Sequence, residues 1–336
     1  MATISDIAQK ANVSRALVSR VLNNKSGVSP ENREKILRII KELNYTPNAL
    51  ARALVTQKTQ TIGVVMDDLC EDFFFDLIKG MHDMGDSLGY NMIFCSGRDN
   101  QEVKFKYVDY FLNGRTDGVI AFGSRIADLQ VFIEIFKRTS NFVLIEGDIP
   151  DQEYNGVQLD NRGGAYRATQ HLIKLGYSKI WHVTGNMDYK VSIDRKDGYL
   201  DAMKKSERKV SADMIIEADF SEDMAYENIK ELLKNESPPD AFFVGADKTA
   251  FGVIRALTEH GIRVPEDVAI IGFDGDKPDS YGIKFPILTT MRQPLYEIGQ
   301  KGVELLVRSI QDDGHKPEKI VVEPEFIFGE TCPEQL

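Results

Sequence analysis

The sequence predicts a two-part chain, a small all-helical head followed by a large α/β body in two lobes. Three observations carry this. The first 45 residues hold three short runs with apolar residues at helical spacing and no strand-like run. From residue 61 onward, apolar strand-like runs alternate with amphipathic helical stretches, the pattern of parallel sheets covered by helices. The charge divides at the same place. Residues 1–60 carry ten Lys/Arg and four Asp/Glu, a net of +6, and the rest carries 31 basic and 48 acidic residues, a net of −17, within a whole-chain net of −11. A basic head on an acidic body is the asymmetry expected when only the head meets phosphate.

At 336 residues the chain exceeds one ordinary domain of ~100–200 residues. No apolar run approaches the ~20 residues of a membrane helix. The start, Met1 to Asp6, has neither the basic nor the apolar region of a signal peptide. Cys70, Cys95 and Cys332 are scattered with no Cys-x-x-Cys, which fits a reducing cytoplasm and argues against a zinc site. No metal, no cofactor and no membrane partner are expected.

In the head, Ile4, Ile7, Ala8 and Ala11 define a first helix. Asn12-Val13-Ser14 breaks it, and Ser14 is placed to cap a second helix from Arg15 to Leu22. Ser29-Pro30-Glu31 starts a third, with Ser as cap and Pro at the first helical position. Ile36, Leu37, Ile40 and Leu43 are its expected inner face. In the body, strands are expected at 62–66, 91–94, 118–122, 142–145, 180–183, 241–244 and 269–273, with helices such as 75–88, 163–175 and 250–260 between them. A break near Asp160-Asn161 divides the body into two similar lobes.

A helix, a tight turn and a second helix form a helix-turn-helix, whose second helix places its first residues against base edges in the major groove. Here these are Arg15, Ala16 and Leu17, with Arg20 further along. Ser14, Ser19 and Asn23 are short polar groups suited to phosphate. A generic three-helix bundle with surface arginines explains the same periodicity.

The wording of the sequence separates the two. Ile4-Ser-Asp-Ile-Ala8, Asn12-Val-Ser14, Val18-Ser-Arg-Val-Leu-Asn23, Val28-Ser29, Arg33 and Leu43-Asn-Tyr-Thr-Pro-Asn-Ala-Leu-Ala-Arg-Ala-Leu54 closely resemble the LacI/GalR family of bacterial repressors, and the likeness continues through Thr61-Ile-Gly-Val-Val65 and the later strands. The resemblance implies a DNA-binding domain over 1–46, a hinge helix and linker over 47–60, and an effector-binding and dimerisation domain over 61–336. Asn48, Arg52 and Leu54 are its expected DNA-contacting hinge residues, with Leu54 wedging into a minor-groove base step; a plain core leucine is the alternative. Leu17 stands where most relatives carry Thr.

For the body, the resemblance implies a type I periplasmic-binding-protein fold, two α/β lobes joined by three crossovers, including ones near 160 and 291. Its ligand sits at the carboxyl ends of the strands. The expected effector-binding residues are Arg195, Asp274, Ser192, Glu146 and Asp247 for sugar hydroxyls, and Phe73, Phe74 and Phe220 for ring faces. Each has a plainer reading: the phenylalanines as core, Glu146 as a surface acid, Arg195 and Asp274 as a pair that latches the lobes. Ala246 departs from the polar residue many relatives carry before Asp247.

The expected protein is therefore a homodimeric regulator on palindromic operator DNA, released by a small sugar; the opposite sign, a corepressor, is compatible with the same residues. No leucine-heptad tail follows the body, so a dimer is expected over a tetramer. Gln293-Pro-Leu-Tyr-Glu-Ile-Gly299 resembles a catabolite-control branch that answers to a phosphoprotein, but Glu304 stands where that branch has Arg. No Gly-x-Ser-x-Gly, P-loop, dinucleotide fingerprint or histidine cluster supports an enzyme.

Overall fold

Thr3 and Asp6 cap each other and start helix α1 (Ile4–Ala11): the Thr3 amide donates to Asp6 Oδ2 at 2.8 Å and the Asp6 amide to Thr3 Oγ1 at 3.3 Å. Asn12 ends α1 in the left-handed conformation, φ +55. Ser14 Oγ then accepts from the Leu17 amide at 3.2 Å and opens α2 (Arg15–Leu22). Ser29 caps α3 (Pro30–Glu42) through the Asn32 amide. Ile7, Ala8, Ala11, Val18, Val21, Ile36 and Ile39 are buried together. Leu37 is a correction: it is 50% exposed, and Ile39 takes the inward place. At about 100° per residue, Ile36, Ile39, Ile40 and Leu43 form one narrow stripe, and Leu37 falls well to its side.

The computed structural model describes residues 2–22, 25–45, 58–69, 72–98, 100–276, 286–312 and 314–335. Asn23 and the expected hinge residues Asn48, Arg52 and Leu54 lie outside the described residues. Two units are separated by their internal contacts, Met1–Thr59 and Gln60–Leu336.

The second unit contains two six-stranded sheets. The first is built from β1 (Thr61–Met66), β2 (Asn91–Ser96), β3 (Gly118–Phe122), β4 (Phe142–Ile145), β5 (Asn155–Leu159) and β11 (Lys319–Val322) in the order β11-β5-β4-β3-β1-β2, all parallel. The second holds β6 (Ile180–Thr184), β7 (Ile215–Glu217), β8 (Ala241–Val244), β9 (Ala269–Asp274), β10 (Thr289–Arg292) and β12 (Glu325–Ile327) in the order β12-β10-β9-β8-β6-β7, with only β12 antiparallel. The helices α4 (Phe75–Ser87), α5 (Gln101–Leu112) and α6 (Leu129–Arg138) connect the first sheet, and α8 (Lys190–Lys205), α9 (Glu222–Asn235) and α10 (Asp247–Glu259) the second. Both sheets reverse their winding next to their first strand, β1 beside β3 and β6 beside β8. Ligands of open α/β sheets bind at such switch points, outside the carboxyl ends of the strands.

The chain passes between sheets three times. It leaves the first after β5 through α7 (Asn161–Lys174), returns after β10 through α11 (Leu295–Gln311), and crosses again from β11 to β12. The main apolar cluster follows these crossovers, from Val64, Met66 and Ile145 through Ala165, Leu305 and Leu306 to Phe243, Ile271 and Phe273. Glycines let α4 and α11 touch backbone to backbone: a Cβ on Gly80 would lie 2.1 Å from the Tyr296 carbonyl oxygen, and one on Gly299 would lie 2.3 Å from that of Leu77.

Candidate functional site

In the head, α2 turns one side to the core and the other outward. Val18 and Val21 are buried, and Leu17 and Leu22 pack half-buried beside them. Ser14, Arg15, Ala16 and Arg20 are exposed, and Ser19 is half-buried between them. At helical spacing Arg15, Ala16, Ser19 and Arg20 cover one continuous arc. Two exposed guanidinium groups on that arc are the donors that bidentate guanine contacts require. The Leu17 side chain belongs mostly to the core side, as its contacts with the head cluster require.

In the body, three of the expected effector residues, Glu146, Arg195 and Asp274, are tied into one series of hydrogen bonds near the carboxyl ends of the strands. Glu146 follows β4; its Oε1 accepts from the Leu159 amide at 2.6 Å and its Oε2 from Asn161 Nδ2 at 3.0 Å. Arg195 Nε donates to Asn161 Oδ1 at 2.9 Å. Arg195 Nη1 donates to the Gly245 carbonyl at 2.5 Å and to Asp274 Oδ1 at 3.1 Å. Asp274 Oδ1 also accepts from Gln293 Nε2 at 2.6 Å. The Arg195 guanidinium stacks 3.9 Å from the centre of the Phe273 ring. Arg195 is only 4% exposed, so this charge is held in a low-dielectric site by a carboxylate and neutral acceptors.

Asp247 sits beneath this series rather than within reach of solvent. Its Oδ1 accepts from Thr290 Oγ1 and its Oδ2 from the amides of Gly275 and Asp276, each at 2.8 Å. Gly272 makes room for it, since a Cβ there would lie 2.1 Å from Asp247 Oδ1. Holding the two amides after Asp274 turns the chain sharply, and Asp274 adopts φ +124. The geometry makes Asp247 the anchor of the Asp274 turn. Glu146 (φ +62) and Phe220 (φ +55) are likewise in the region L-residues rarely adopt. Such strain collects at ligand clamps and switch regions.

Burial dominates the electrostatics. It pushes the Glu146 carboxyl up to about 7, against the pull of the Leu159 amide, the Arg195 charge and Asn161. It raises Asp274 above the ordinary carboxylate range, opposed by Arg195 and Gln293. Asp247 rises well above that range through burial and the neighbouring Asp274 and Asp276 charges.

The aromatic candidates divide. Phe73 and Phe74 meet edge to face at 5.0 Å, Phe74 meets Phe122 at 5.3 Å, and both pack half-buried on the main core. Phe220 stands against Gly185 and the edge of Tyr189 at 5.7 Å. Ser192, one turn before Arg195 on α8, is 1% exposed, and its Oγ has no hydrogen-bond partner among the described residues.

Asn161 and Gln293 belong to this series, and sequence reasoning did not single them out. Asn161 follows the break between the lobes, and Gln293 opens the motif read for another purpose. Lys104 was also missed. It is 3% exposed and ion-paired to both Asp67, just after β1, and the buried Asp128. Its spacing with Val108 and Phe111, both buried on α5, was the readable signal.

Residues 3–48 match the bacterial regulatory proteins of the lacI family, and residues 169–332 match the periplasmic binding protein-like domain. Catabolite control protein A of Priestia megaterium is 34% identical over 308 residues, 91% of this chain and 92% of that protein. Among solved structures, the lac repressor dimer bound to operator and the anti-inducer ONPF is similar with a TM-score of 0.86 and 26% identity, covering 98% of each chain. The transcriptional regulator CelR in its cellobiose complex is similar with a TM-score of 0.73 and 28% identity, covering 98% of this chain and 100% of that one. Its helix-turn-helix head, its two-sheet body and its full-length relatives place the chain in the lacI family of bacterial regulatory proteins.

Proposed function

We propose that this regulator is a cytoplasmic homodimeric repressor that holds a palindromic operator through α2 and is released by a small sugar bound in the cleft of its body. Arg15, Ala16 and Arg20 read bases, Ser14 and Ser19 contact phosphate, and Leu17 props the helix from the core side. Asn23, Asn48, Arg52 and Leu54 complete the DNA contacts. In the cleft, Arg195, Asp274, Ser192 and Glu146 bind hydroxyls, Phe73, Phe74 and Phe220 cover ring faces, and Asp247 positions Asp274. The protein acts by binding and catalyses no reaction.

The carrying observation is the convergence of buried Arg195, Asn161 and Glu146 with part-buried Asp274 near the strand ends. Planar amide, carboxylate and guanidinium groups fixed side by side match the paired hydroxyls of a sugar. The cellobiose complex of a structural relative supports that ligand class. The experiment is fluorescence anisotropy on a labelled palindromic site, titrated at fixed salt with a panel of mono- and disaccharides. Release by one sugar, lost in Asp274→Asn, is the expected result. DNA binding that no sugar alters sinks the sugar reading. The identity to a catabolite control protein then brings a protein corepressor forward, although exposed Glu304 would repel a phosphate.

A further inference from the structure

The two lobes of the body are joined across their switch points by main chain. The Ile126 amide donates to the Asp188 carbonyl at 2.9 Å, and the Lys190 amide donates to the Ser124 carbonyl at 2.8 Å, pairing Arg125 with Tyr189 in an antiparallel bridge. Ser124–Ile126 follows β3 of the first sheet, and Asp188–Lys190 follows β6 of the second.

Each flank is anchored within its own lobe. The Gly123 amide donates to the Ile145 carbonyl at 3.1 Å. The Asp128 amide donates to the Arg125 carbonyl at 3.0 Å, and the Asp128 side chain is buried in its ion pair with Lys104. On the other side the Asp188 amide donates to Asn186 Oδ1 at 2.8 Å, and the Tyr189 carbonyl accepts from the Ser192 amide at 3.1 Å. Lys190 is the first residue of α8, the helix that carries Ser192 and Arg195.

We propose that segments 124–126 and 188–190 form a backbone strap that holds the lobes together whether or not a ligand is bound, and that its opening is the step that exposes the cleft. The bonds are made by main chain, so no ligand group is needed to form them. Ile126 and Asp188 are exposed, so water replaces the broken bonds and opening is reversible. Two ordinary backbone bonds bias such an equilibrium roughly 10- to 100-fold. The strap goes beyond the sugar reading and is tested without any sugar.

Lys190→Pro removes one strap donor and leaves α8 intact. Proline suits the first helical position, and Tyr189 already has the extended conformation (ψ 131) that a residue before proline prefers. Lys190→Ala is the control: it keeps the amide and removes only the ion pair to Asp194. Amide hydrogen exchange at Ile126 in the ligand-free full chain is the readout. The proline variant is expected to exchange there roughly 10-fold faster, from loss of half the strap, and the alanine variant at the unmodified rate. A second test is independent of folding in the proline variant. Arg125 and Tyr189 form a non-hydrogen-bonded pair, whose Cα atoms lie ~4.5 Å apart, within disulfide reach. Arg125→Cys with Tyr189→Cys is expected to cross-link under mild oxidation with no ligand present, read by peptide mass. Unprotected exchange at Ile126 in the unmodified chain, equal rates in the proline and alanine variants, or a cysteine pair that does not cross-link each overturn the strap.

Discussion

Glu146→Gln, compared with the unmodified chain across pH, probes a fully desolvated acid of the cleft. Burial raises the Glu146 carboxyl from an ordinary 4.5 to about 7. The folded state therefore holds a proton that the unfolded state has lost between those values. Its stabilisation is complete below about pH 4.5 and disappears as pH rises through 7. The rise from 4.5 to about 7 corresponds to about 3 kcal/mol in full, of which roughly 2–3 kcal/mol is lost between pH 5 and pH 8. Asp247 and Asp274 are raised in the same direction, so the slope of the unmodified chain alone does not identify the group. The difference between the two proteins does. Glutamine keeps an acceptor for the Leu159 amide but turns its NH2 toward Asn161 Nδ2, a loss of ~1 kcal/mol at every pH. Urea unfolding is read by the emission of Trp181, the only tryptophan of the chain, which is 1% exposed in β6. The stability of the unmodified chain minus that of the variant should fall by roughly 2–3 kcal/mol from pH 5 to pH 8. A difference that stays flat refutes the reasoning and means that the two donated hydrogen bonds hold Glu146 ionised throughout.

Gly80→Ala places a methyl 2.1 Å from the Tyr296 carbonyl oxygen and should lower the stability of the body by ~1–3 kcal/mol in the same unfolding assay. Lys104→Met strips the cation from two carboxylates, one of them fully buried, and should cost about 3–5 kcal/mol at pH 7. A loss below about 1 kcal/mol would count against an ionic role. Arg15→Ala removes an exposed side chain and should leave thermal unfolding of the head unchanged. Operator binding by anisotropy should weaken roughly 5- to 150-fold, the range of one lost base contact.

Six of the seven predicted strands were legible because their apolar runs are buried on both faces; the seventh, β2, is a half-buried edge strand whose run Met-Ile-Phe still stands out. The five that were missed carry other signals. β7, β11 and β12 are sheet edges, too short or too polar to stand out, and β5, inside the first sheet, reads Asn-Gly-Val-Gln-Leu with only two apolar side chains. β10 lies inside its sheet yet reads Thr-Thr-Met-Arg. Its polar groups are satisfied by distant partners: Thr289 Oγ1 donates to the Cys332 carbonyl at 3.1 Å, and Thr290 Oγ1 donates to Asp247. Local periodicity cannot register a hydroxyl whose acceptor lies some forty residues away. The same holds in the cleft. Arg195 and Asp274 were legible through their motifs, whereas Asn161 and Gln293 acquire their roles only when α7, α8 and the strand ends converge. Leu37 shows the limit within one helix, where a residue can be apolar and still miss the buried stripe by a quarter turn.

The series Glu146–Asn161–Arg195–Asp274–Gln293 begins at the end of a first-sheet strand and ends beyond a second-sheet strand, and Asn161 and Gln293 stand at two of the three crossovers. Arg195 therefore ties these crossovers together through bonds within the chain. Its acceptors are satisfied within the chain, so a ligand hydroxyl gains only the difference between its bond and the one it displaces. On the proposed sugar reading, affinity would come mainly from ring burial on the aromatics and from unmade bonds such as that of Ser192 Oγ. The effect on conformation comes from the other side of the exchange. A ligand that takes Asp274 from Arg195 loosens a link between crossovers, and one that bridges them tightens it. The sign of the response thus depends on which of these bonds the ligand replaces, because a ligand shifts an equilibrium only by its differential affinity for the two states.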